Sequence, residues 1–203
     1  VLDPRMTASM PPKITAATGM DALTHAVEAY IGPQKNPISD AFAAAAMDLI
    51  RNNIVAAVKD GANKDVRLAM ANAALLAGLA FSNSMVGIVH ATAHATGGVC
   101  HVPHGIANSI LLPYGLEFYV GKSPKVKEEI ESLLLHLAGP EVYVQTPPAE
   151  RAAKTIAAIR NLTAELKKLS GLPVRLSETG VTEDKLERIA QTALNDGAVA
   201  FSP

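Results

Sequence analysis

The stretch Ile14-Thr-Ala-Ala-Thr-Gly-Met-Asp21-Ala-Leu-Thr-His25-Ala-Val-Glu28-Ala-Tyr30-Ile31 sets apolar Ile14, Ala17, Leu23, Val27 and Tyr30 at roughly helical spacing. Apolar side chains that recur three and four residues apart line one face of a helix. Pro11-Pro12 stands ahead of the stretch, and Gly32-Pro33 is a stop signal behind it. Inside it Asp21 and His25 are four residues apart, on one face and about 5–6 Å from each other. A carboxylate and an imidazole so placed can converge on one ion.

Outward from this helix the same period continues. A second helix is expected from Ser39 to Lys59, with Ser39 or Asp40 as its cap. A third runs from about Lys64 to Ser82, its small Ala69, Ala71, Ala73, Ala74 and Ala77 inviting close helix contact. A fourth, Ser84 to Thr96, is expected to end at Gly97-Gly98 in a left-handed stop. A loop from Val99 to His104 leads into Gly105 to Val120, where Pro113 marks a kink or a second piece. Val126, Ile130, Leu133, Leu134 and Leu137 form one amphipathic stripe; Ala149 to Leu169 carries another. After a loop from Leu172 to Gly180, Thr182 opens a last helix through about Leu194. No alternating run suits a sheet. The fold class is all-α, a bundle of eight or nine helices in one domain spanning residues 1–203.

Composition narrows the function. Hydrophobic residues are 49% and charged residues 18%, enough apolar matter for a large core. Eighteen basic and 19 acidic residues, in mixed order, give a formal charge of −1. Such balance gives no electrostatic reason for nucleic acid or an anionic membrane as partner. The uncharged run from Leu68 to Val89 is broken by Asn72, Ser82, Asn83 and Ser84, and reads as buried core helices. The single cysteine, Cys100, forbids an internal disulfide and fits a reducing, cytoplasmic setting. Val1-Leu2-Asp3-Pro4 reads like the tail of a strand entering a turn, so the chain is expected to be a piece of a longer protein.

Five of six histidines fall between residues 25 and 104, and four of these lie within fifteen residues. His90 and His94 repeat the four-residue spacing, and His101-Val-Pro-His104-Gly105 follows a Gly-Gly turn that can return His104 to the His90 face. Either pair alone is ordinary helix decoration; together, in apolar surroundings, they point to a cation, because buried Asp and His are costly unless paired. His90-Ala-Thr-Ala-His94 lacks the intervening Glu of zinc proteases.

The segments Ala17 to Tyr30, Gly87 to Gly98 and His101 to Asn108 resemble the signatures of the iron-containing alcohol dehydrogenase family across essentially the whole chain. The resemblance implies the helical C-terminal domain of a dehydroquinate synthase-like two-domain fold, its N-terminal nucleotide-binding α/β domain absent here. It implies metal ligands at Asp21, His25, His90 and His104. His94 is implied to sit beside substrate and cofactor, assisting proton transfer or orientation. The implied cofactors are Fe2+, with Zn2+ as an alternative, and NAD or NADP in the full-length protein. The implied substrate is a small alcohol or aldehyde, a homodimer is compatible, and the chain alone is implied to be inactive. Rival readings are a glycerol dehydrogenase or 3-dehydroquinate synthase-like enzyme with fewer protein ligands, and a non-catalytic helical metal-binding module. Among other residues, His101 is read as a loop residue and Cys100 as a small apolar filler. Glu28 is read as a hydrogen-bonding partner within its own helix, Phe81 and Ser84 as pocket lining or core, and His136 as structural.

Overall fold

The computed structural model describes residues 2–203. Among them are nine α-helices and three short 3-10 turns, with no strand. The helices are α1 (Pro12–Ile31), α2 (Pro37–Lys59), α3 (Lys64–Ser84), α4 (Ile88–Cys100), α5 (His104–Val120), α6 (Pro124–Ala138), α7 (Pro140–Gln145), α8 (Pro148–Ser170) and α9 (Glu183–Leu194).

α1 is the central post. It packs against α2, α3 and α5 most extensively and also touches α4, α6 and α8. Small side chains make this possible: Ala16, Ala26 and Ala29 of α1 are fully buried, as are Ala43 and Ala46 of α2 and Ala73 and Ala80 of α3. Around them Met20, Leu23, Met47, Ile50 and Ile54 fill the space between the axes. α6 packs on α8, and α9 covers α4. Arg67, buried on α3, ties the start of the bundle by donating to Gly61 O at 2.8 Å, Thr15 Oγ1 at 2.8 Å and Met10 O at 3.0 Å.

Several expected boundaries move. α2 starts earlier, at Pro37, and its cap is Asn36 rather than Ser39 or Asp40: Asn36 Oδ1 accepts from Ile38 N and Ser39 N, both at 3.1 Å. α3 runs on to Ser84, and α4 starts at Ile88 rather than Ser84. Gly97 and Gly98 lie inside α4; the stop is His101, with φ 58° in the left-handed region. Glycine is merely tolerated within a helix, whereas the turn into Pro103 needs the reversal three residues later. Pro113 sits in an unbroken α5. Leu176–Thr179 forms a 3-10 turn within the expected loop. Val1 lies outside the described residues; Leu2 and Asp3 form no strand, and Asp3 caps a 3-10 turn at Pro4–Thr7.

α2 and α3 are each long and apolar enough to cross a membrane by length and composition, yet here they pack on each other and on α1. On α3 the deeply buried residues are Ala73, Ala77 and Ala80 with Arg67 and Ser84, while Leu68, Leu75 and Leu79 remain partly exposed.

Candidate metal centre

Three helices converge on a polar cluster. α1 brings Asp21, His25 and Glu28, α4 brings His90 and His94, and α5 opens on His104 with Asn108 one turn later. α5 comes close to α1 because residue 105 is glycine: a Cβ there would lie 2.6 Å from Ala17 O and 2.9 Å from Ala17 C. Those are backbone atoms with no rotamer to escape into. Gly105 therefore sets how near His104 stands to Asp21.

Asp21 Oδ1 lies 3.3 Å from His104 Nε2 and 4.0 Å from His90 Nε2. One ligand-type atom each from Asp21, His90 and His104 lies within 4.8 Å of the other two. His90 is 1% exposed, and its Nε2 is buried with no hydrogen-bond partner. An unsatisfied buried polar atom costs about 1–3 kcal/mol, and a cation at the Asp21 carboxylate would relieve it. Asn108 supplies a second sign of the same demand. Its Nδ2 donates to Asp21 Oδ1 at 2.6 Å and to His104 Nε2 at 2.9 Å, so amide hydrogens meet two lone pairs of the cluster. The residues fit a divalent ion.

The histidine tautomers also suit it. His90 Nδ1 is 2.6 Å from Glu28 Oε2, an oxygen that already accepts from His90 N at 3.2 Å. Nδ1 therefore carries the hydrogen, and Nε2 presents a lone pair. His25 Nδ1 is 2.9 Å from Asp21 O, and a carbonyl only accepts, so the same tautomer follows. Burial, reinforced by neighbouring His90, pushes the His25 pKa down to about 4. Burial also lowers that of His104. Neutral imidazole is the form that binds metals.

Of the four residues implied by the resemblance, three bring ligand-type atoms within 4.8 Å of one another, and His25 lies beside them with its Nδ1 3.8 Å from Asp21 Oδ2. The His25 ring packs on His90 at 4.1 Å and on Phe81 at 4.5 Å between centroids, and stands 6.5 Å from His104. It borders the three converging atoms without joining them. His94 stacks on His104 at 5.1 Å, outside the same three, with its Nδ1 2.8 Å from Asp196 Oδ2 and its side chain 46% exposed. Phe81 reaches the site; Ser84 does not, since its buried hydroxyl donates to Ala80 O at 3.0 Å. His101 caps α4 and is exposed, Cys100 is a partly buried free thiol, and His136 pairs with Asp48 at 3.4 Å.

Three contributors were not read from the sequence as site residues. Glu28 reads from the sequence as a partner within its own helix, yet its carboxylate reaches across to α4. Asn108 had a signal, its four-residue spacing from His104. Asp196, the partner of His94 from a turn 102 residues away, had none.

Residues 15–203 match the Fe-containing alcohol dehydrogenase family, C-terminal. Alcohol dehydrogenase 4 of Saccharomyces cerevisiae is 39% identical over 203 residues, covering 100% of this chain and 50% of the yeast protein. The 1,3-propanediol dehydrogenase of Klebsiella pneumoniae is 41% identical over 201 residues, covering 99% of this chain and 50% of that protein. A crystal structure of 1,3-propanediol oxidoreductase superposes with a TM-score of 0.91 at 40% identity, over 99% of this chain and 50% of that one. The chain spans about half the length of these relatives. With the converging carboxylate and imidazoles, these likenesses establish that the chain belongs to the Fe-containing alcohol dehydrogenase family and corresponds to its helical C-terminal part.

Proposed function

We propose that this chain is the metal-holding part of an NAD(P)-dependent alcohol dehydrogenase, with Asp21, His25, His90 and His104 as ligands of one divalent cation. The observation that carries the reading is the meeting of Asp21 Oδ1, His90 Nε2 and His104 Nε2, one of them a buried nitrogen without a partner. One carboxylate with imidazoles suits Fe(II), Zn(II), Co(II), Ni(II) or Mn(II), and the family favours iron. When bound, the ion supplies Lewis-acid chemistry, polarising an alcohol or aldehyde oxygen so that hydride exchange with a nicotinamide becomes feasible.

The chain's own residues do the rest. Asp21 contributes the negative charge that retains a dication. His90, held by Glu28, presents a fixed lone pair. His94 stands at the open edge, and Asp196 fixes its tautomer with Nδ1 protonated, which leaves Nε2 to exchange a proton with solvent or a bound hydroxyl. Several relatives are named for small alcohols, among them 1,3-propanediol, butanol and methanol, and one for long-chain alcohols, which supports an alcohol or aldehyde as substrate and favours a small one. Turnover is assigned to the full-length enzyme, and the chain alone is expected to be inactive.

The test is metal content by plasma mass spectrometry. Wild type should retain about one equivalent and His90→Ala essentially none; equal retention would sink the reading. His25→Ala separates the readings within it. Loss of metal supports four protein ligands, whereas retention favours the three-ligand arrangement of the glycerol dehydrogenase-like alternative, for which the position of His25 beside the cluster speaks.

A further inference from the structure

α4 has no cap of its own. Its preceding residue, Gly87, offers no side chain, and the first free N–H groups of the helix are met from elsewhere. Glu28, on α1 and 2% exposed, accepts from Val89 N through Oε1 at 2.9 Å and from His90 N through Oε2 at 3.2 Å. The same Oε2 is 2.6 Å from His90 Nδ1. One carboxylate thus grips both the backbone and the ring of a single histidine. Space around it is closed: a Cβ on Gly87 would stand 3.1 Å from Glu28 Oε1 and 3.2 Å from the Tyr119 hydroxyl.

We infer that Glu28 is a positioning residue for the metal, setting the tautomer and direction of His90 so that Nε2 faces Asp21 and His104. The inference rests on the metal reading above and adds a residue to it. With the backbone held at Val89 and His90, the ring has one hydrogen-bonding direction for Nδ1, and Nε2 is left as the donor atom aimed at the cluster. A carboxylate behind a ligating imidazole also makes the opposite nitrogen a better electron donor. In Glu28→Gln one acceptor oxygen becomes an N–H2 group, which then faces either Val89 N alone or His90 N together with His90 Nδ1. If it faces His90 Nδ1, the ring is driven to the opposite tautomer and Nε2 is lost as a ligand. If it faces Val89 N, the helix loses a cap and the ring loses its anionic partner.

The experiment measures Zn(II) and Co(II) affinity by chelator competition for wild type, Glu28→Gln and the distant cap variant Asn36→Ala, with the Co(II) d–d spectrum as a second readout. Glu28→Gln should bind about 10–100-fold more weakly, the range for partners behind metal ligands, and shift the Co(II) bands. Asn36→Ala should bind within twofold of wild type. Glu28→Gln affinity within twofold of a metal-binding wild type, with an unchanged spectrum, overturns the inference alone; a wild type that binds no metal overturns it together with the metal reading. Should Glu28→Gln fail to fold, long-range 1H–15N spectra of the metal-free wild type decide: a His90 hydrogen on Nδ1 supports the inference, and one on Nε2 overturns it.

Discussion

α2 and α4 begin in opposite ways. At the start of α2, Asn36 accepts from Ile38 N and Ser39 N, and Ser39 Oγ accepts from Asn36 N at 2.9 Å, so every partner lies within four residues. At the start of α4, Val89 N and His90 N are met by Glu28, 61 and 62 residues distant, and Ile88 N is 3.4 Å from the hydroxyl of Tyr119, 31 residues away. A local capping box stabilises a helix wherever that helix is placed. A distant cap works only when the bundle is assembled, and for the same reason it registers α4 against α1. The first kind secures a helix; the second aims a side chain.

The comparison can be broken most forcefully where the register is set. Gly105→Ala forces a Cβ against the Ala17 carbonyl, so α5 must retreat from α1 and carry His104 from Asp21. Overpacking of this kind costs roughly 1–3 kcal/mol. Thermal melting should fall, and Zn(II) affinity with it; an unchanged affinity would show that the α1–α5 approach does not define the site.

A pH series on the metal-free chain probes the same junction at lower cost. His25 titrates near 4 when folded because burial disfavours its charged form, against about 6.5 when unfolded. Between those values the unfolded chain holds more protons, so stability rises with pH there and falls as the solution is acidified. His104 shifts in the same direction. In chelator, melting at pH 5 should therefore lie below melting at pH 7; a flat or inverted trend would mean that these rings are solvated.

The smallest effect sharpens the other side. Asn36→Ala should cost about 1 kcal/mol by chemical denaturation, the usual loss for an N-cap. Its metal affinity should not move, because no site residue hangs on the start of α2. A large drop in affinity would erase the distinction between the two kinds of cap.

Much of the bundle was legible because helical period is a local property. Asp21 and His25, or His90 and His94, share a face by spacing alone. Gly97-Gly98 misled for a related reason: local preference favours a stop at glycine, but α4 continues to Cys100 and His101 takes the left-handed conformation. The start of α4 lies at Ile88 rather than the Ser84 that local pattern favours, because its capping groups are remote in the chain.

Sequence alone determined the helical class, the family likeness and the list of residues able to hold an ion, since each depends on residue type and near-neighbour spacing. Tertiary structure decided which of them meet. It drew Asp21, His90 and His104 together, left His25 at their border, turned Glu28 from its own helix toward His90, and set Asp196 behind His94. Those contacts join residues up to 102 positions apart. They depend on how closely helices approach, which small residues such as Gly105 and Ala17 permit and no local pattern specifies.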